Sequence, residues 1–84
     1  MELIVHSRDK FNDLVAGSLL CEAELILDAN GPDEIETWDS LCHAAMVSSL
    51  EEQYAITFEM EEVLSMETIG AVIEHLKNKG IQLS

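Results

Sequence analysis

Asp39, Ser40 and Leu41 set a carboxylate, a hydroxyl and an apolar side chain in a row where a stretch free of Gly and Pro begins. A carboxylate at the start of a helix accepts hydrogen bonds from its first free backbone N–H groups, so Asp39 is read as an N-cap. Ser40 then takes the first helical position, where its hydroxyl reaches solvent and the helix N-terminus favours an attached phosphate. These residues alone leave two readings open: Ser40 supports the cap, or it carries a phosphate-linked group. At about 100° per residue, His43, Met46, Val47, Leu50 and Tyr54 share one side of this helix, while Leu41, Ala45, Ser48, Ser49 and Glu52 share the other. An outward Leu41 beside the Asp-Ser pair invites a partner, although single exposed leucines are common on any surface.

The elements that hold this segment can be read on either side of it. Phe11, Leu14, Val15, Ser18 and Leu19 give a helical stripe beginning near Ser7 and running until the chain passes Leu20. Residues 23–39 form a long connection with Leu25, Ile26 and Ile35 as inward anchors and Asn30-Gly31-Pro32 as a turn. Without buried anchors the ordering entropy of such a loop goes unopposed, so Ile26 and Ile35 should be buried. After the Asp39 helix, Ile56 and Phe58 are core candidates in a short extended piece, and residues 59–64 suffice for one short helix. Ser65 is read as the cap of a last helix through Lys79, striped by Met66, Ile69, Ile73 and Leu76 and stopped at Gly80. The expectation is an all-α single domain over residues 1–84. It is a small four-helix bundle of three longer helices and one short one, with a long loop between the first two.

Charge narrows the partners. The formal net charge is −13, and Arg8, Lys10, Lys77 and Lys79 are the four basic residues, so no Lys or Arg lies between Phe11 and Leu76. Such a field repels nucleic acid and anionic lipid and steers basic protein surfaces toward the chain. It also disfavours self-association, which makes a monomer the expectation. The longest apolar runs are too short to span a membrane, and the first residues lack the basic and apolar regions of a signal peptide; a cytoplasmic protein is expected. Residues 1–6 read as a short leader with Leu3, Ile4 and Val5 available to pack.

Metal chemistry fits poorly. Counting an EF-hand from Asp28 puts Asp33 where Gly is required and Asp39 where a bidentate Glu is required, with Pro32 fifth. His6, His43 and His75 are scattered, and Cys21 and Cys42 lack a CxxC spacing. Both thiols read as reduced small hydrophobes, with Cys42 expected to reach the surface of its helix.

From Phe11 to Leu76 the chain resembles the acyl carrier protein family, on Asp39-Ser40-Leu41, Leu50-Glu51-Glu52-Gln53-Tyr54, Phe58, Met66-Glu67-Thr68-Ile69 and Ile73. The resemblance implies a protein that is not an enzyme and has no catalytic residues. Ser40 would bear a 4'-phosphopantetheine arm transferred from coenzyme A by a phosphopantetheinyl transferase, with Asp39 orienting the reaction and Leu41 touching the transferase. It further implies acyl or aminoacyl cargo carried as thioesters for loading and transfer enzymes with basic patches, as in fatty acid or polyketide biosynthesis. Leu41, Ala45, Glu51 and Glu52 would form the partner surface. Cys42 and Ala45 stand where fatty-acid carriers typically have acidic residues, and Thr37-Trp38 replaces their Gly-x. The Trp-Asp-Ser-Leu-x-His pattern is closer to specialised free-standing carriers. His43 and Met66 are candidate arm or cargo contacts; for His43 the competing reading is a satisfied core residue. An unmodified acidic helical module that binds a basic protein is the alternative function.

Overall fold

The structure is a computed structural model describing residues 4–84. Its elements are β1 (Ile4–His6), α1 (Arg8–Leu19), a 3-10 turn (Ala23–Leu25), α2 (Ser40–Tyr54), α3 (Met60–Leu64), α4 (Ile69–Asn78) and β2 (Ile81–Leu83). Four helices dominate, as the apolar spacing requires, but the chain is not purely helical. β1 and β2 pair in parallel, with Ile4 opposite Ile81 and His6 opposite Leu83, and Ser84 N–H donates to the His6 carbonyl at 3.0 Å. Gly80, at φ 88°, ends α4 and turns the chain into β2. The six-residue leader is therefore partly a strand, and Leu3 lies outside the described residues.

Ser7 caps α1 by accepting from Lys10 N–H. Phe11, Val15 and Leu19 are fully buried along the stripe that the sequence displays. In α2, Met46, Val47, Leu50 and Tyr54 enter the core from the side expected of them. Cys42 joins them at 8 % exposure, correcting the expectation that it reaches the surface. It follows Leu41 by one position, far enough round the helix to turn in beneath α1.

Ile26 and Ile35 anchor the long loop at 1 % and 0 % exposure, whereas Leu25 is 39 % exposed. The 3-10 turn that contains Leu25 rotates it away and leaves the anchoring to its neighbour. The loop continues as turns, with Glu34 and Ile35 N–H donating to the Gly31 carbonyl at 3.0 and 2.8 Å.

The last helix starts later than the sequence suggests. Ser65 closes α3, its hydroxyl donating to the Glu62 carbonyl at 2.9 Å, and does not cap the next helix. Thr68 does so, accepting from Ala71 N–H at 3.1 Å. Two further N–H groups at the start of α4 find partners in the loop: Ile69 donates to the Asn30 carbonyl at 2.9 Å and Gly70 to the Asp28 carbonyl at 2.8 Å. These helix-end donors would otherwise lack backbone partners, so the loop and α4 stabilise each other. A Cβ on Gly70 would stand 3.0 Å from the Asp28 oxygen, which explains a glycine inside a helix. Among the described residues no helix is long and apolar enough to cross a membrane.

Candidate functional site

Asp39 has extended backbone angles, and its Oδ1 accepts from Cys42 N–H at 2.8 Å. That backbone donor, foremost among several, holds the Asp39 carboxyl below the usual carboxylate range, so it is ionised at neutral pH. The cap is complete without Ser40, which begins α2 and is exposed. Leu41 follows at 79 % exposure, with no core role.

Ser40 stands on the rim of an open cleft of about 610 Å3 between α2 and α3. Trp38, His43, Ala44, Val63, Leu64 and Met66 supply most of its wall. The Trp38 and His43 side chains in that wall are hydrogen-bonded. Trp38 Nε1–H donates to His43 Nδ1 at 2.8 Å, and His43 Nε2–H donates to the Val63 carbonyl at 2.8 Å. The acceptor roles of Nδ1 and of the carbonyl require the neutral Nε2–H tautomer. The two rings stack with centroids 5.8 Å apart. His43 therefore ties the segment before α2 to α3 with both nitrogens in use, the arrangement of a satisfied, half-buried residue. The cleft wall is mainly apolar, with Asp39, Ser40 and Glu67 also lining it.

The sequence-derived residues divide into three groups. Asp39, Ser40, His43 and Met66 meet at this cleft, with Met66 buried in its wall. Leu41, Ala45 and Glu52 are exposed on the outward side of α2. Glu51 is not free in the same way, because its Oε2 accepts from Phe58 N–H at 2.8 Å and secures the chain after α2. Trp38 was legible only as part of a motif.

The cleft's outer wall was missed altogether. Met60, Val63 and Leu64 come from α3, a helix with no fully buried residue. The signal was an apolar content too high for a helix that short to bury alone.

Free Cys21 and Cys42 lie elsewhere, and burial pushes both thiols up, making them poor nucleophiles at neutral pH. Among the described residues no three His, Cys, Asp or Glu side chains gather as a metal site. Comparison of the chain with protein-family models and with curated protein sequences returns no match.

Proposed function

We propose that the protein is an acyl carrier bearing 4'-phosphopantetheine on Ser40. The observation that carries this reading is an exposed serine at the first residue of α2, free of capping duty, on the rim of an apolar cleft. Ser40 would hold the arm through a phosphodiester, near the positive helix end that favours phosphate. When bound, the arm supplies a thiol that carries acyl groups as thioesters. The Asp39 carboxylate, held ionised beside the serine, contributes local charge for the modifying enzyme.

The cleft wall supports apolar cargo, each methylene withdrawn from water being worth about 0.8 kcal/mol. Asp39 and Glu67 are the carboxylates in its lining that an aminoacyl ammonium would meet. The acidic surface suits a phosphopantetheinyl transferase and acyl-transfer enzymes that present Lys and Arg. The protein itself is a cytoplasmic, monomeric carrier, not an enzyme, serving a specialised biosynthetic pathway.

The test is intact mass after incubation with coenzyme A, magnesium and a broad-specificity phosphopantetheinyl transferase. The native protein should gain one arm and Ser40→Ala none, while both melt alike because Asp39 makes the cap. A folded native protein that gains nothing, with this transferase and with one from its source organism, would overturn the reading.

A further inference from the structure

The opposite flank of α2 carries a second open groove, between α1 and α2, of about 620 Å3. Leu14, Gly17, Leu20, Leu41 and Ala45 wall it, with Asp13 also lining it. Two residues here run against the needs of the fold. Gly17 lies inside α1, and a Cβ there would meet nothing within 4 Å, so alanine would fit and favour the helix. Leu20 does the reverse. It ends α1 at φ 57° and ψ 42°, a left-handed conformation suited to glycine, yet its side chain is 73 % exposed.

The chain thus has glycine where a side chain is welcome and leucine where glycine is easier. Local choices that oppose the fold concentrate where function maintains them. Their joint effect is a bare floor at Gly17 between two projecting leucines, Leu20 and Leu41.

Charge identifies the occupant. No Lys or Arg lines the groove, while Asp13 lies in it and the ionised Asp39 precedes Leu41. A second copy would bring another charge of −13 against the first. We propose that this groove docks a protein segment that inserts an apolar side chain over Gly17 and flanks it with Lys or Arg. The docking does not depend on modification of Ser40.

The experiment is an NMR amide-shift titration with a synthetic amphipathic Leu/Lys helical peptide, against an equally charged peptide with serine for leucine. Shifts caused by the first should concentrate at Leu14, Gly17, Leu20, Leu41 and Ala45, and those caused by the second should be weak and diffuse. Gly17→Leu fills the floor and should weaken the Leu/Lys peptide about tenfold. Gly17→Ala should raise the melting temperature by about 4 °C while weakening the peptide about twofold, which keeps the test open if Gly17→Leu folds poorly. Absence of peptide binding, shifts centred on Met60 and Leu64, unchanged affinity in both variants, or a dimer formed through this face would each overturn the proposal.

Discussion

The consecutive helices α3 and α4 are held by different physics. α4 buries Ile69, Val72 and Leu76 completely and starts with two N–H groups bonded to the long loop. α3 buries no residue fully; Val63 packs partly buried against the core, and polar ties add to that contact. His43 donates to its Val63 carbonyl, and Glu62 meets Lys79 at 3.1 Å and His75 Nδ1 at 3.4 Å. Apolar burial of the first kind is lost only when the core opens, whereas the half-buried polar ties of α3 exchange with water more readily. The frame beneath the cleft and its outer wall should therefore differ in how much free energy it takes to move them.

Mutation should separate the two helices most clearly in stability. Ile69→Ala should cost about 3 kcal/mol in chemical denaturation, as for a fully buried aliphatic side chain, while Val63→Ala should cost less than about 1 kcal/mol. Equal losses would break the distinction. Next come the glycines that lock the long loop to the start of α4. A Cβ on Gly31 would run into the backbone carbonyl of Glu67, and one on Gly70 would press on that of Asp28. With backbone on the receiving side neither contact relaxes easily, so Gly31→Ala and Gly70→Ala should each cost about 2 kcal/mol by the same measurement, Gly31→Ala the more.

The contrast between the helices also explains what could be read from the sequence. α1, α2 and the burial of Ile26 and Ile35 were legible, because apolar spacing and end signals report directly on what enters a core. The start of α4 was not, because Ser65 and Thr68 are both competent caps. In the fold Ser65 stands at the end of α3, and it is Thr68 that accepts from Ala71 N–H. The β1–β2 pair joins residues at opposite ends of the chain, and no local pattern encodes such a pairing. At the site, Asp39, Ser40 and Leu41 were legible as an N-terminal constellation. The wall facing them was not, because α3 has no buried stripe to announce its orientation. Gly70 was inexplicable from sequence, since the carbonyl that excludes a side chain there is supplied by Asp28.

His43 gives a smaller effect that is more specific to the wall. His43→Phe keeps a ring in the cleft but leaves the Trp38 N–H and the Val63 carbonyl without their partner, at a cost of about 1–2 kcal/mol. Hydrogen exchange should show this loss in the amides of α3, with those of α4 little changed. Equal acceleration in both helices would mean that His43 serves the whole core rather than the tie to α3.

The smallest effect tests whether charge contributes to that tie. The Glu59 backbone N–H, followed by Lys79 and His75, holds the Glu62 carboxyl below its ordinary value of 4.5. A lowered folded-state value means that folding favours the ionised form. Its contribution is fully present above the ordinary value and is lost as pH falls through the lowered one. Total stability will not report this cleanly, because acid also neutralises other carboxylates in a chain of net charge −13 and relieves their repulsion. The difference between native protein and Glu62→Gln does report it, since both share that relief. The variant should be slightly less stable at neutral pH, with the deficit concentrated in α3 exchange. The gap should close as pH falls below about 4.5. A gap that persists in strong acid would mean that Glu62 acts through neutral hydrogen bonds and packing. Charge would then contribute nothing to the α3 tie, which would rest on neutral hydrogen bonds such as that of His43.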